Sequence, residues 1–121
     1  MPTDFHGGVP LDGYETFLSI DVDETEEEVK AAPGVLRGYF IANRSASEIF
    51  VKFFDGLADD VTVGTTAPAL VVPLQARSGA NVAGLDAIFT TGICVAAVTS
   101  VRDDGRTGPA ENEVVVNLTF V

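Results

Sequence analysis

Apolar and polar residues alternate in short runs along the chain. The run ETFLSIDV, residues 15–22, places Leu18 and Ile20 on one side and Glu15 and Asp21 on the other. An alternation with period two and one polar side is typical of a half-buried strand. The pattern therefore predicts a strand here, with its acidic side in water and its aliphatic side against a core.

Further short runs rich in β-branched and aromatic residues follow, separated by glycine, proline and polar turns. They are EEVKAA, VLRGYFIAN, EIFVKFFD, VTVGT, ALVVPLQA, GLDAIFTT, ICVAAVTSV and EVVVNLTF. Roughly seven to nine short strands result, and no segment sustains helical periodicity. The sequence predicts an all-β fold, a single antiparallel β-sandwich of jelly-roll-like form over residues 15–121. Because Pro73 lacks a backbone N–H, its strand is expected at a sheet edge or a bulge.

Residues 1–14 differ from the rest of the chain, because glycine and proline interrupt them and no periodicity is sustained. They are predicted to form an irregular N-terminal arm beside the sandwich domain of residues 15–121. The arm carries three large apolar residues, Phe5, Leu11 and Tyr14. A purely solvated tail does not need such groups, so we expect the arm to contact a partner or a neighbouring subunit.

Two of the predicted strands are apolar on both sides. In VLRGYFIAN, Leu36 and Phe40 are predicted on one side and Tyr39 and Ile41 on the other. A strand of a sandwich has one face on the core, so each second face must be covered by the arm, by a loop or by another subunit. The second such strand is EIFVKFFD. The candidate contact residues are Tyr39 and Ile41 of the first strand and Phe50 and Phe54 of the second.

The formal net charge of −11 is concentrated near the start, where residues 1–30 hold nine acidic residues and one lysine. An acidic surface repels phosphate groups, and the bases after Lys30 are scattered along the chain without a cluster. The charge therefore predicts no nucleic-acid partner and no anionic membrane surface as a partner.

The acidic stretch begins like a calcium-binding loop, with Asp21 and Asp23 at alternate positions. Such a loop also needs glycine at its sixth position and a bidentate carboxylate at its twelfth. Those positions hold Glu26 and Ala32. We interpret the stretch as the solvated side of a strand and its turn, where repulsion discourages pairing with other chains. No metal site is predicted.

Catalytic chemistry has little support in the sequence. The single histidine, His6, lies in the arm, and the single cysteine, Cys94, lies among branched aliphatic residues where a thiol acts as a small core residue. The pairs Asp59-Asp60 and Asp103-Asp104 lie in turn-forming segments, where aspartate is favoured. No phosphate-binding glycine motif occurs. We therefore predict a protein that is not an enzyme, with no catalytic residue and no cofactor.

Targeting signals are also missing from the sequence pattern. The first residues have neither the basic nor the apolar region of a signal peptide. The uncharged apolar segment of residues 87–101 is too short to span a bilayer. A lone cysteine forms no internal disulfide, so we expect folding in the cytoplasm.

Four segments together resemble a family of small β-sandwich proteins from tailed bacteriophages and related prophages. They are PGVLRGYFIANRSASEIFVKFFDG, VGTTAPALVVPLQA, GLDAIFTTGICVAAVT and NEVVVNLTFV. The similarity lies in a glycine-led strand ending in asparagine (34–43), an F-V-K-x-[FY]-D strand (50–55), a V-G-T turn (63–65) and a glycine-led segment (84–93). It leaves out the arm.

The resemblance implies a structural virion component, made in the host cytoplasm and located on the capsid surface. Its implied role is that of a capsid decoration, or cement, protein that binds the major capsid protein as a small homo-oligomer, with a trimer favoured. The alternative is a tail, fibre or baseplate accessory domain that could bind glycans. Exposed aromatic residues serve such binding, and a chain with no tryptophan and two tyrosines disfavours it.

Overall fold

The computed structural model describes residues 15–121, which form eight β-strands and one turn of 3-10 helix. The strands are β1 (Glu15–Ser19), β2 (Glu27–Lys30), β3 (Gly34–Asn43), β4 (Ile49–Asp55), β5 (Leu70–Leu74), β6 (Ser78–Phe89), β7 (Ile93–Val98) and β8 (Val114–Phe120). The 3-10 turn, Ala58–Asp60, lies between β4 and β5. No helix of this part of the chain is long and apolar enough to cross a membrane. The arm residues Phe5, Leu11 and Tyr14 lie outside the described residues.

The strands form two four-stranded antiparallel sheets. Sheet A has the order β1-β8-β3-β6, and sheet B has the order β2-β7-β4-β5. This arrangement is that of a jelly roll, in which eight strands fold as two Greek keys. It confirms the predicted fold class, a single antiparallel sandwich. Pro73 lies in β5 at the edge of sheet B, as its missing N–H predicts.

The core lies between the sheets and is built from the inward-facing residues of the strands, with alternation clearest in β8. In β8, Val114, Val116, Leu118 and Phe120 are buried, whereas the residues between them face outward. In β4 and β7 the inward residues are also aliphatic or aromatic, with Phe53 fully buried. Burying one such side chain contributes about 1.5–3 kcal/mol, so the alternation fixes which face of each strand meets the other sheet.

The predicted orientation of β1 is wrong. Phe17 packs against the core, whereas Leu18 and Ile20 are 63% and 60% exposed. The pairing with β8 explains this, because Phe17 lies opposite the inward-facing Leu118 and Leu18 opposite the outward-facing Asn117. Residues directly opposite in a sheet share a face, so the partner strand decides which side of β1 is buried.

The predicted faces of β3 are also wrong. The register of β3 shifts between Leu36 and Gly38: Arg37 is one extra residue against β8, whereas against β6 it stands opposite residues 84–86. Leu36 and Ile41 are therefore both buried in the core, together with the half-buried Tyr39, and only Phe40 faces outward, at 60% exposure. The strand has one apolar inner face and a single exposed aromatic residue.

The second face of sheet B is covered by loops of the same chain. Phe54 of β4 packs with Val61, Cys94 and Ala96 in a small hydrophobic cluster, and Val61 comes from the loop between β4 and β5. The sequence predicts that the arm, a loop or another subunit covers this face. At Phe54, the described residues show a loop.

Candidate binding face

The large exposed apolar side chains of residues 15–121 collect on one side of the sandwich. Of the six, five lie on or next to sheet A: Leu18, Ile20, Phe40, Val82 and Ile88, the last at 73% exposure. The sixth, Val101, lies in the loop after β7. Loops cover the outer face of sheet B, so within residues 15–121 the outer face of sheet A is the open one. Exposed apolar groups concentrated on one sheet are candidates for an interaction surface.

Strand register orders the open face into rows that run across the sheet. One row is Leu18 of β1, Asn117 of β8, Phe40 of β3 and Asn81 of β6. The next row is Thr16, Thr119, Gly38 and Ala83 on the same four strands. Strands lie about 4.8 Å apart, so each row spans roughly 14 Å. Phe40 thus has a carboxamide neighbour on each side.

These rows line a shallow groove, with a volume of about 960 Å³. Gly38 keeps the centre of the groove open. A Cβ atom at this position would lie 2.7 Å from the carbonyl oxygen of Val82 and 3.1 Å from Oγ1 of Thr119, so a side chain does not fit without movement of the backbone. The row of small residues beside Phe40 leaves a depression in an otherwise flat sheet.

The lining that residues 15–121 give the groove carries no net charge, although the chain carries a formal charge of −11. Apart from Tyr39, its ionisable residues in this part of the chain are Arg37 and Asp86, whose side chains form an ion pair with 2.5 Å between Nη1 and Oδ1. The pair closes one end of the groove. An exposed ion pair contributes at most about 1 kcal/mol to stability, so its main effect is to balance charge at the groove.

Two carboxamides and two hydroxyls of the groove have no partner among residues 15–121: Asn81, Asn117, Thr16 and Thr119 make no side-chain hydrogen bond there. Asn43 shows the contrasting case. Its Nδ2 donates to the carbonyl oxygens of Ser47 at 2.8 Å and Gln75 at 3.0 Å, and its Oδ1 accepts from the hydroxyl of Ser45 at 2.7 Å. The hydrogen-bonding groups of the Asn43 side chain are occupied in joining turns, whereas the carboxamides of Asn81 and Asn117 remain available to a ligand.

Cys94 is placed as predicted, as a small core residue. It is buried in β7, and its thiol donates to the carbonyl oxygen of Gly56 at 3.3 Å. Burial raises the pKa of the Cys94 thiol to about 11, helped by the negative charges of Glu28 and Glu26. A thiol in this environment is neutral and poorly nucleophilic.

Lys52 is a buried cation on the covered face of sheet B. Its Nζ donates to the carbonyl oxygen of Arg102 at 2.6 Å, which attaches the loop after β7 to β4. Burial lowers the pKa of Lys52, and the charges of Asp103 and Asp104 act in the opposite direction. Its role is to hold a loop.

Asp55 ends β4 and holds the turn before β7. Its carboxylate accepts hydrogen bonds from the backbone N–H groups of Thr90, Thr91 and Gly92, at 2.9, 2.8 and 3.3 Å, and from the Thr90 hydroxyl. Burial raises the pKa of Asp55, but these hydrogen bonds outweigh it and the net shift is downward. The carboxylate of the F-V-K-x-[FY]-D segment therefore has a structural role.

Several acids of the N-terminal stretch bind backbone groups. Asp21 accepts from the N–H of Asn112 at 2.7 Å, Asp23 from Thr25 at 2.9 Å and Glu28 from Ala58 at 2.9 Å. The contacts of Asp21 and Glu28 join segments that lie far apart in the sequence, whereas that of Asp23 is local. Within residues 15–121, no group of three or more His, Cys, Asp or Glu side chains is arranged to hold a metal ion.

The structure does not bring the predicted contact residues together on one surface. Ile41 is buried in the core, Tyr39 stacks on Phe53 with ring centroids 6.4 Å apart, and Phe54 is buried under Val61. Phe50 is half-buried on β4. The side chains of Ile41 and Phe54 are thus occupied within the chain.

Sequence patterns missed the groove residues Phe40, Asn81 and Asn117. One signal was available in VVVNLTF, where Asn117 interrupts an apolar run at an outward position. The neighbours of Asn117 in space come from β3 and β6, and no local pattern indicates that pairing.

No family model, curated protein or solved structure matches this chain. The fold defines the class of protein as a jelly-roll β-sandwich, and within residues 15–121 its sheet A carries a shallow groove.

Proposed function

We propose that the protein is a non-enzymatic structural component of a tailed-bacteriophage virion, a capsid decoration protein that binds the outer surface of the shell. The observation that carries the proposal is the exposed aliphatic pair at the edge of sheet A, Leu18 and Ile20. The sequence resemblance to phage β-sandwich proteins supplies the biological setting.

The aliphatic pair lies where an attachment site is expected. β1 is an edge strand, and residues 1–14, with Phe5, Leu11 and Tyr14, join the sandwich directly at Glu15. Covering an exposed Leu or Ile side chain contributes about 1.5–3 kcal/mol. In this proposal the exposed pair and the apolar residues of the arm both contribute to attachment.

The rest of the molecule suits a structural role. The side chains with the strongest potential for chemistry, Cys94, Lys52 and Asp55, are each occupied in packing or in holding loops. The protein is expected to act as a homo-oligomer, a trimer in this proposal, on a shell of major capsid protein. Light scattering should then give a multiple of the 12.7 kDa chain mass.

The location is tested by mass spectrometry of virion heads and tails after their separation. Recovery with heads supports capsid decoration, whereas recovery with tails alone contradicts it. The attachment site is tested by adding purified protein to particles that lack it and measuring retention. A Leu18→Asp, Ile20→Asp double variant should be retained at least about tenfold less than the wild type.

Val101→Asp is the matched control, because Val101 is similarly exposed at 58% but lies away from sheet A. It should be retained as the wild type is. Equal loss in the control and the double variant would show that added negative charge, and not the aliphatic pair, explains the effect.

The second candidate is a tail, fibre or baseplate accessory domain. It is favoured by one observation, the polar groove of sheet A, which has the lining of a small-ligand site.

A further inference from the structure

The groove of sheet A combines an aromatic ring with amide and hydroxyl groups, and one class of ligand can contact all of them. It has an exposed aromatic ring in Phe40, free carboxamides in Asn81 and Asn117, and a free hydroxyl in Thr119. We propose that this groove is a binding site for a neutral oligosaccharide.

Sugar hydroxyls both donate and accept hydrogen bonds, and so do carboxamides and threonine hydroxyls. The C–H faces of a sugar ring are apolar and pack on aromatic rings. The row Asn117–Phe40–Asn81 presents an aromatic ring between two carboxamides in adjacent strands. A ring seated on Phe40 has hydrogen-bonding groups at both of its edges.

The shape of the groove favours a short chain of sugars over a single ring. Each row runs roughly 14 Å across the sheet, and the groove is shallow and open. Its volume of about 960 Å³ lies at the upper end of the range for small-molecule sites. Gly38, which cannot carry a side chain here, leaves room for the ligand beside Phe40.

The charge distribution favours a neutral ligand. The Arg37 guanidinium is paired with Asp86, so the lining residues that the structure describes offer no unpaired cation to a sugar carboxylate or sulfate. The overall charge of −11 adds a field that repels anions. Neutral hexose or N-acetylhexosamine chains fit this environment better than uronic or sialic acids.

The inference goes beyond capsid attachment and does not depend on it. Phe40, Asn81 and Asn117 belong to β3, β6 and β8, whereas the aliphatic pair proposed for attachment lies at β1, where Leu18 also lines one side of the groove. The test uses the isolated chain, so its failure leaves the virion role unaffected.

The experiment is a titration of the full-length ¹⁵N-labelled protein, followed by amide chemical shifts. The probes are maltohexaose, cellohexaose, mannohexaose and chitohexaose, with oligogalacturonate as the anionic comparison. We expect at least one neutral probe, at millimolar concentration, to shift amides in residues 38–40, 81–83 and 117–119. No shift with any neutral probe, shifts confined to other surfaces, or tighter binding of oligogalacturonate would each overturn the proposal.

Three variants then test the named side chains. Phe40→Ala, Asn81→Ala and Asn117→Ala should each weaken binding of the positive probe about tenfold, which matches the loss of one good contact. Ile88→Ala is the control, because Ile88 is exposed on the same sheet but does not line the groove. All four residues are exposed, so folding should be retained, and thermal melting checks this. Wild-type affinity in all three variants would overturn the proposal.

Discussion

Lys52 Nζ lies 2.6 Å from the backbone carbonyl oxygen of Arg102, so a buried cation in β4 holds the loop that follows β7. The lysine stem covers apolar surface of sheet B while its ammonium group reaches the loop. Among residues 15–121, no loop covers the outer face of sheet A in this way. The part of the sandwich that the structure describes is therefore asymmetric, with the outer face of sheet B closed by loops and that of sheet A exposed.

Replacement of Lys52 separates the packing of its stem from the hydrogen bond of its ammonium group. Lys52→Met keeps most of the stem and should lower the free energy of unfolding by about 1–2 kcal/mol, through the lost hydrogen bond. Lys52→Ala also leaves a cavity and should cost about 2–4 kcal/mol. Denaturant unfolding measures both, with the exposed Arg44→Ala as control. Equal costs for the two variants would contradict a packing role for the stem.

Asp55 should make the free energy of unfolding depend on pH under acidic conditions. Its pKa is lowered in the folded state, so its carboxylate stabilises the fold above the unfolded-state pKa of about 3.9. That stabilisation is lost as the pH falls through the lower folded-state pKa. Asp55→Asn should therefore destabilise the protein at pH 7 and much less near pH 2, as measured by thermal melting.

Thr90→Val provides a graded comparison for Asp55. It removes only the hydroxyl donor and leaves the backbone N–H donors of the turn. Its loss of stability at pH 7 should be smaller than that of Asp55→Asn. A larger loss would show that the Thr90 hydroxyl contributes more to stability than the backbone N–H donors do.

The thiol of Cys94 should be unreactive in the native protein. It is buried, and its pKa is raised to about 11, so at pH 8 it is almost wholly protonated. Native protein at pH 8 should react with a thiol reagent only at the rate of unfolding, and unfolded protein should react at once. Fast labelling of the native protein would mean that the cover over this face of sheet B opens readily.

The alternation of apolar residues was sufficient to predict the fold class. In β8, four buried residues alternate with outward ones, and Pro73 marks an edge strand because of the chemistry of proline itself. Such features depend on local sequence alone. The burial of Cys94 was predictable for the same reason, since its neighbours in β7 are all apolar.

The faces of β1 and β3 could not be predicted from their own residues. Phe17 and Leu18 are both hydrophobic, yet Leu18 faces outward because β8 places Phe17 opposite the inward-facing Leu118. In β3 a single bulge before Gly38 reverses the expected sides and puts Phe40 outside. The groove combines residues of four strands whose pairing spans most of the chain, so local patterns do not indicate it.

Gly38 should tolerate no side chain. A Cβ atom there would lie 2.7 Å from the Val82 carbonyl oxygen, and overpacking of this kind costs about 1–3 kcal/mol. Gly38→Ala should lower the melting temperature and shift the amides of β3 and β6. Ala83→Ser, at the exposed position paired with Gly38, is the control and should change stability by less than about 0.5 kcal/mol. A stable Gly38→Ala variant would show that the sheet adjusts freely at the bulge.

Deletion of residues 1–14 should separate folding from attachment. All eight strands lie within residues 15–121, and the pairing of β1 with β8 begins at Glu15, so the truncated chain keeps every contact described for the sandwich. Its melting temperature should be close to that of the full chain. Retention on particles that lack the protein should fall, because Phe5, Leu11 and Tyr14 are removed.

A segment that orders on binding contributes apolar contacts at an entropic cost, and the apolar part of that contribution is only weakly screened by salt. The loss should therefore persist at high ionic strength, whereas any contribution from the acidic stretch should weaken there. If the truncated protein is retained as tightly as the full chain, the attachment belongs to the sandwich alone, and Leu18 and Ile20 become its principal candidates.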